Sequence, residues 1–349
     1  MLLVLAGEPN AKNEKDGMFQ RIKWVDEQFR DVPRLILSIS LKRHLRRKRF
    51  VRSDFLVVEE VNLLLHFPRI LYLAWHSDCV YVHSCYNALS GLPVYLLGLR
   101  IITDMHGVVP EELQLMGVTW LSKVLSSVER IVAKRSAALV FVTYAMRNYF
   151  MKKYSLSDDT RTYIIPILSR EPRRVQFSGK DQRIVIYSGG LQKWQRVDRM
   201  LDAVERTTGR FKYVFLTGDP DNLRRKLDTR GIAQVEVYSV PRDMVFEYYE
   251  RASLGFVLRE DSIVNRVACP TKLVEYLWSG VIPIVEQPFI GDFYEMGYKY
   301  ILVHDFENGN LPDPTELDTM REHNRQIARR LEELSDAEFT RMRMACMER

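Results

Sequence analysis

The sequence of 349 residues has no long hydrophobic run and few cysteines. No stretch of about 18 uninterrupted apolar residues occurs, and the apolar stretch at 1–6 is short and lacks basic residues before it. We therefore predict neither a membrane-spanning helix nor a signal peptide, and expect a cytoplasmic protein. Cys79, Cys85, Cys269 and Cys346 show no CxxC spacing, which argues against a disulfide framework and a structural zinc site.

Short apolar runs alternate with helix-length segments from one end of the chain to the other. The first series comprises residues 2–6, 34–39, 55–59, 79–83, 100–104 and 138–142, and the second comprises residues 183–188, 212–218, 234–239, 254–258 and 281–285. This alternation is typical of βαβ units in a doubly wound parallel sheet. Two such series predict an α/β protein with two Rossmann-like domains.

The domain boundaries follow from the composition between and after the two series. We place an N-terminal Rossmann-like domain at 1–166 and a C-terminal Rossmann-like domain at 167–320, and interpret the polar, turn-rich segment 166–183 as a hinge. Residues 321–349 are densely charged with helical periodicity, which predicts helices packed on the domain surfaces. Because strands of such sheets carry their ligand-binding loops at the carboxyl ends, we expect the two domains to face a central cleft that holds the active site.

The segment 265–285 (NRVACPTKLVEYLWSGVIPIV) predicts a loop, a short helix and a buried strand. Pro270 fits the first helical position, where its missing N–H would be unpaired in any case. Thr271 and Lys272 then present amides, a hydroxyl and an ammonium at the positive end of the helix, which predicts a phosphate site. Glu275 faces the same side one turn deeper and could accept hydrogen bonds from a ribose diol. The alternative is that Thr271 caps the helix and Glu275 balances its dipole.

This arrangement resembles the donor-binding element of the family-4 retaining glycosyltransferases, which have the GT-B fold. The resemblance extends over nearly the whole chain and implies that the second domain binds a nucleoside-diphosphate sugar. A second matching element is the segment 187–194 (YSGGLQKW), which predicts a strand, a glycine turn and a helix. Gly189 and Gly190 would let the backbone approach a pyrophosphate, and Lys193 would neutralise it.

The resemblance also implies roles for three loops at strand ends. Arg259 would neutralise the diphosphate and Glu260 would bind hydroxyls of the donor sugar. The loop with Asp104 and His106 resembles the family loop whose histidine lies beside the donor sugar near the reacting carbon. Gly7 matches a glycine loop close to the donor or acceptor. We therefore predict His106 and Glu260 as catalytic residues, and Gly7 and Asp104 as contacts to the donor sugar or acceptor; the alternatives are a structural histidine and an exposed charged loop.

The sequence departs from the family pattern at two places. The family commonly has two glutamates separated by seven residues, and counting back from Glu275 places the first at Val267. Either Glu260 or Asn265 on the preceding loop then contacts the donor sugar, or the sugar is held differently. The arginine that is frequent in the first glycine turn is also absent, with Gly190 near its position.

The resemblance implies transfer with retention of anomeric configuration and without a metal ion or another cofactor, the nucleotide sugar being the co-substrate. The tripeptide from Asp219 to Asp221 is superficially similar to the metal-binding DxD of the other major glycosyltransferase fold. It follows an apolar run and begins a helical segment, where aspartate is a common cap. We therefore predict no metal site.

The net charge of +6 is unevenly distributed, because the segment from Lys42 to Arg52 holds seven of the lysines and arginines in eleven residues. Polybasic segments are attracted to anionic membranes. We predict peripheral contact with the inner face of a membrane and a glycan or lipid-linked acceptor, as in surface polysaccharide assembly; the alternative is a solvated helix face. The run has a single aromatic ring of Phe, Tyr or Trp, that of Phe50, and no recognisable nucleic-acid module, so nucleic-acid binding is not expected.

Two other functions are compatible with the same architecture. A nucleotide-sugar epimerase would need added acid–base pairs, and none can be identified in the sequence. A catalytically silent GT-B subunit that supports a partner transferase is favoured by the apolar residue at Val267. A transferase needs an acceptor and an epimerase does not, which separates these functions by turnover.

Overall fold

The computed structural model describes residues 1–10, 17–168 and 180–347. The chain forms two compact units, the first comprising Met1–Pro166 together with the chain from Leu334, and the second comprising Ile167–Glu333. The predicted hinge 166–183 falls mainly on residues 169–179, which lie outside the described residues.

The first unit is built on an eight-stranded sheet with the order β3-β4-β2-β1-β5-β6-β7-β8, parallel except for β3, which is antiparallel to β4. Its strands are β1 (Leu2–Leu5), β2 (Arg34–Ser40), β3 (Lys48–Ser53), β4 (Leu56–Asn62), β5 (Cys79–His83), β6 (Ile101–Met105), β7 (Ala138–Phe141) and β8 (Thr162–Ile164). Its helices are α1 (Gly17–Gln28), α2 (Phe67–Trp75), α3 (Ser84–Ser90), α4 (Val109–Leu115), α5 (Thr119–Arg135) and α6 (Tyr144–Tyr154), with a short 3₁₀ helix at Leu92–Leu96.

The second unit is built on a six-stranded parallel sheet with the order β11-β10-β9-β12-β13-β14. Its strands are β9 (Asp181–Ser188), β10 (Lys212–Leu216), β11 (Val235–Tyr238), β12 (Ala252–Phe256), β13 (Ile282–Val285) and β14 (Ile301–Leu302). Its helices are α7 (Val197–Arg206), α8 (Pro220–Arg230), α9 (Arg242–Arg251), α10 (Ile263–Arg266), α11 (Thr271–Ser279) and α12 (Val303–Asn308), with a 3₁₀ turn at Lys193–Gln195. The final helix, α13 (Pro314–Met347), begins in this unit and ends in the first.

The central strands are buried on both faces, which explains their continuous apolar sequences. All five residues of β5 are buried, as are all four of β1 and β7. Every apolar run that was predicted as a strand overlaps an observed strand. The α/β class is thereby confirmed.

Three short or charged strands in the described part of the chain were not predicted. β3 lies within the basic run and has only Phe50 packed against the core, so its sequence lacks the apolar pattern of a buried strand. The run is therefore not a helix face, and its second half is the edge of the first sheet. β8 and β14 have three and two residues, too few for a pattern to be visible.

Helix α13 is longer than the predicted C-terminal segment, because it begins at Pro314 rather than at 321. Its end belongs to the core of the first unit, where the ring of Phe339 contacts those of Trp24 and Phe29 at centroid distances of 5.6 and 5.4 Å. Burying one such ring stabilises a fold by about 1.5–3 kcal/mol. The helix is thus part of the first unit's core and not only a surface layer.

Asp219 is the N-cap residue of α8, and its side chain accepts a hydrogen bond from the amide of Asn222 at 3.4 Å. This confirms the interpretation of the aspartate as a cap. Among the described residues, no helix is long and apolar enough to cross a membrane.

The strand order reverses direction once in each sheet, beside β1 and β5 in the first and beside β9 and β12 in the second. Ligands of open parallel sheets bind outside the carboxyl ends of the strands at such switch points. Gly7 follows β1, Gly189 follows β9, and Arg259 lies three residues after β12. The topology therefore places predicted binding residues of each unit at its own switch point.

Candidate functional site

The turn after β9 contacts the first turn of α11 in the second unit. The ammonium of Lys272 donates to Oε1 of Gln195 at 2.7 Å and lies 4.1 Å from the centroid of the Tyr187 ring. A Cβ at Gly189 would lie 2.8 Å from the Lys272 nitrogen and 3.0 Å from the Tyr187 hydroxyl. Gly189 is therefore needed for this approach, since any side chain would displace the lysine.

Lys272 is only 8% exposed, although it carries an amine. Burial lowers the pKa of Lys272 well below its ordinary value, and the nearby Arg259 lowers it further. Two buried basic groups close together are costly unless an anion accompanies them. The arrangement can therefore receive an anionic group, which would restore the charge of the lysine.

Arg259 and Glu260 are held in place by Asn265. Nη1 of Arg259 donates to Oδ1 of Asn265 at 2.9 Å, and Nδ2 of Asn265 donates to the backbone oxygen of Glu260 at 2.9 Å and to Oγ of Ser262 at 3.3 Å. Asn265 has no exposed surface. Its amide thus positions the loop, and its predicted contact with the donor sugar or the acceptor stays a prediction.

The carboxylate of Glu260 has an oxygen available for a ligand. Its Oε1 is buried and has no hydrogen-bond partner among the described residues. A buried polar atom of this kind costs free energy unless something binds it. Val267, where the family commonly has its first glutamate, is 2% exposed at the end of α10 and belongs to the core.

Glu275 lies on α11 with both carboxylate oxygens in contact with other side chains. Nη2 of Arg242 donates to Oε1 at 2.6 Å, and the hydroxyl of Tyr249 donates to Oε2 at 2.9 Å. Each oxygen can accept a second hydrogen bond, so the pair of contacts leaves capacity for a diol. Neither Arg242 nor Tyr249 was predicted, because each precedes Glu275 by more than 25 residues and no motif links them.

The other predicted phosphate-binding residues lie around this cluster. Thr271 is the first residue of α11 and is partly exposed, whereas Pro270 is the N-cap residue and not the first helical residue. Gly190 accepts a hydrogen bond at its backbone oxygen from the Tyr187 hydroxyl. Lys193 is exposed on the 3₁₀ turn and makes no ion pair among the described residues.

In the first unit, Asp104 at the end of β6 lies at the centre of a buried polar cluster. Nε and Nη2 of Arg21 donate to its two oxygens at 3.1 and 3.3 Å, and the Tyr81 hydroxyl donates to Oδ2 at 2.9 Å. Nε2 of His106 lies 3.4 Å from Oδ2, and Nδ1 of His83 lies 3.7 Å from it. We name Arg21, Tyr81, His83, Asp104 and His106 the Asp104 cluster.

Both oxygens of Asp104 therefore already accept hydrogen bonds from protein side chains. Burial raises the pKa of its carboxyl, but Arg21 and His106 outweigh burial and hold the pKa well below its usual range. An ionised carboxylate favours the tautomer of His106 with its proton on Nε2. Nδ1 of His106, which is buried and has no partner among the described residues, is then an acceptor for a ligand hydroxyl.

The ligand atoms of His83, Asp104 and His106 lie within 4.8 Å of one another. A divalent cation there would have to bind beside the guanidinium of Arg21, which already neutralises the carboxylate. Like-charge repulsion opposes such binding. The cluster is better suited to orienting His106 than to holding a metal ion.

His83 predicts a pH dependence of stability. Burial lowers the pKa of its imidazole to about 3, because the neutral ring is favoured inside the unit. The unfolded chain takes up a proton at His83 near pH 6.5 and the folded chain does not, so stability is lost as the pH falls from 6.5 toward 3. At pH about 4.5 this loss is about 3 kcal/mol.

Thermal unfolding of the wild type and of His83→Gln from pH 6.5 to 4.5 measures this contribution. The wild type is expected to lose more stability than the variant over this interval. Parallel pH profiles of the two proteins would contradict the prediction, because titration of the carboxylates is common to both.

Gly7 is partly exposed after β1. A Cβ at this position would lie 3.1 Å from the ring of Phe19. The space beside Gly7 is thus limited by the protein itself.

No family model and no curated protein matches this sequence. Solved structures match it over nearly the whole length at low identity. α,α-Trehalose-6-phosphate synthase from Burkholderia multivorans is 13% identical with a TM-score of 0.69, covering 99% of both chains. Sucrose-phosphate synthase from Thermosynechococcus elongatus is 11% identical with a TM-score of 0.65, covering 97% of this chain and 94% of that one. HepE from Anabaena, in complex with UDP-glucose, is 12% identical with a TM-score of 0.68, covering 99% of both chains.

These matches confirm that the chain has the GT-B fold predicted from its sequence. They do not single out family 4.

Proposed function

We propose that this protein is a glycosyltransferase that moves a sugar from a nucleoside-diphosphate sugar to an acceptor hydroxyl. The observation that carries the proposal is the contact of the Lys272 amine with Gly189, which has no side chain to block it. Arg259 lies nearby, and both basic side chains are almost fully buried. Nearby Glu275 offsets the lowered pKa of Lys272 only in part, and a diphosphate would supply further negative charge. The structure of HepE with UDP-glucose, which has the same fold, supports this class of donor.

The proposed reaction depends on stabilising the leaving group. The bond between the anomeric carbon and the diphosphate oxygen breaks, and a bond from the acceptor oxygen to that carbon forms. The acceptor proton passes to the leaving phosphate, and the configuration is retained. Fixed cations and amides at Lys272, Arg259, Thr271 and Lys193 would stabilise the charge that grows on the diphosphate. The reaction as proposed requires no metal ion and no cofactor besides the nucleotide sugar.

The donor sugar and ribose have their own candidate contacts. The unpartnered Oε1 of Glu260 would accept a hydrogen bond from a sugar hydroxyl, and Glu275 would bind the ribose diol. His106 would present its Nδ1 to a hydroxyl near the reacting carbon. We further propose a glycan or lipid-linked acceptor in surface polysaccharide assembly, with the basic run from Lys42 to Arg52 in contact with an anionic membrane.

A catalytically silent GT-B subunit is the second candidate function. The observation that favours it is Val267, which fills the core where the family commonly has a carboxylate. Such a subunit would bind the nucleotide sugar and show no turnover with any acceptor. Turnover in the presence of an acceptor therefore separates the two functions.

Calorimetric titration with uridine, guanosine and adenosine diphosphates tests the proposal. We expect one of the three nucleoside diphosphates to bind. Its 2′-deoxy form should bind about tenfold more weakly, because a hydrogen bond from the 2′-hydroxyl is worth about 1–1.5 kcal/mol. In Glu275→Gln the difference in affinity between the nucleotide and its 2′-deoxy form should be smaller, since the carboxylate that accepts from the diol is gone. Failure of a folded protein to bind any of the three nucleotides would overturn the proposed function.

A further inference from the structure

Two loops leave the same edge of the first sheet and are joined into one surface. Loop 41–47 follows β2 and loop 63–66 follows β4, and the last residues of these parallel strands, Ser40 and Asn62, are paired in register. The backbone oxygen of Ser40 accepts a hydrogen bond from the amide of Leu63 at 3.0 Å. The loops therefore begin side by side.

The side chain of Asn62 fixes both loops to each other. Its Nδ2 donates to the backbone oxygens of Leu41 and Arg43, each at 3.0 Å. Its Oδ1 accepts from the amides of Leu64 and Leu65 at 3.0 and 3.2 Å. Asn62 is 2% exposed, so these bonds are shielded from water. Several backbone polar groups of the two loops are thus satisfied internally, which lowers the cost of leaving water.

Four leucines of these loops extend into solvent. Leu41, Leu45, Leu64 and Leu65 are 55%, 66%, 71% and 62% exposed. A single exposed leucine needs no explanation. Four on two joined loops form an exposed apolar patch, and such patches mark sites of interaction with a protein or a membrane.

The cations next to these leucines are available for an external partner. Lys42, Arg43 and Arg46 are exposed and make no ion pair among the described residues. Two other basic residues of the run are paired, since Arg52 lies 2.6 Å from Glu8 and Arg47 lies 3.7 Å from Glu59. Among the described residues, the cations of the run without an ion pair are therefore the three beside the leucines on the loop and two at the start of β3.

We propose that the leucine surface, defined as loops 41–47 and 63–66, inserts its leucines into the interface of an anionic membrane while its three free cations bind lipid phosphates. Leucine side chains suit the acyl boundary, and cations beside them suit a negatively charged leaflet. A nucleic acid would instead call for aromatic rings to stack on bases. The proposal rests on the membrane contact of the proposed function and specifies the residues that make it. Its test needs neither donor nor acceptor, so its failure can be distinguished from failure of the proposed transfer reaction.

Co-sedimentation with vesicles of phosphatidylcholine, with and without phosphatidylglycerol, tests the charge component. We expect binding only to the anionic vesicles, and a loss of roughly 100-fold in the partition coefficient when the three loop cations are replaced by glutamine. The loop variant is Lys42→Gln, Arg43→Gln and Arg46→Gln, and the charge-matched control, on helices of the same unit, is Lys123→Gln, Arg130→Gln and Lys152→Gln. Equal losses in the two triple variants, or no vesicle binding by the wild type, would overturn the proposal.

Insertion of the leucines needs a separate readout. The cysteines Cys79, Cys85, Cys269 and Cys346 are all buried, so a thiol introduced by Leu64→Cys can be labelled selectively with an environment-sensitive dye. The dye should report an apolar environment on addition of anionic vesicles, whereas a dye at Ser127→Cys, exposed on α5, should not. Leu64→Ser with Leu65→Ser should weaken binding at unchanged charge. Full binding by this double variant would show attraction without insertion and would contradict the proposal.

Discussion

Replacing Lys272 by methionine is expected to weaken nucleotide-sugar binding by about 100-fold while the protein stays folded. Methionine has nearly the length of lysine and suits a site where the amine is 8% exposed and lies against the Tyr187 ring. The loss consists of charge-assisted hydrogen bonds to the diphosphate, which are worth about 1.5–3 kcal/mol each. Calorimetric titration with the nucleotide sugar that the wild type binds measures it.

The control for this variant is Lys226→Met, which makes the same substitution at a partly exposed position on α8 that pairs with Asp198. Its affinity for the nucleotide sugar should equal that of the wild type. If Lys272→Met bound the donor as tightly as the control, the lysine would be a structural residue and the diphosphate would have to bind elsewhere.

The lowered pKa of Lys272 should make the affinity for the nucleotide sugar depend on pH. A bound diphosphate favours the charged amine and raises its pKa, so binding takes up a proton whenever the pH lies above the lowered pKa of the free protein. The affinity of the wild type should therefore fall as the pH rises above that lowered pKa, by at most about tenfold per pH unit. Lys272→Met has no amine to protonate and should lack this slope.

The sequence was sufficient to predict the two parallel sheets, because their central strands are continuous apolar runs. It also placed Lys272 and Glu275 on one helix, since a helix N-terminus and helical spacing are local features, and their binding roles stay predictions. Side chains that meet a site from distant elements were missed. Arg242 reaches Glu275 from α9, and Arg21 reaches Asp104 from 83 positions earlier in the chain.

Asn265 shows the same limit from the opposite direction. Its position on a loop at the crevice edge suggested a ligand contact, and only the three-dimensional structure shows its amide bonded to Arg259 and Glu260. Only part of the leucine surface could likewise be predicted from the sequence. The cations formed a contiguous run, whereas Leu64 and Leu65 join them through Asn62 from another loop.

Asp104→Asn is expected to destabilise the first unit by about 3–5 kcal/mol, because it leaves the Arg21 guanidinium buried without a counter-charge. Arg21 is 1% exposed, and both oxygens of Asp104 accept from it. For a unit of this size the melting temperature should fall by roughly 10 °C. Asp158→Asn, which changes an exposed carboxylate of the same unit, should alter stability by no more than about 0.5 kcal/mol.

Replacing Arg21 as well should restore much of the stability lost in Asp104→Asn. Such a recovery would show that the loss comes from an unpaired buried cation and not from a packing defect. Arg21→Met combined with Asp104→Asn leaves no charge from the pair inside the unit, and buried ion pairs replaced by neutral side chains are often tolerated. The double variant should therefore melt above Asp104→Asn, although the bond from Arg21 to the backbone oxygen of Pro166 is also lost. If the double variant melted below the single one, the two side chains would act independently and the Asp104 cluster would not depend on their charge pairing.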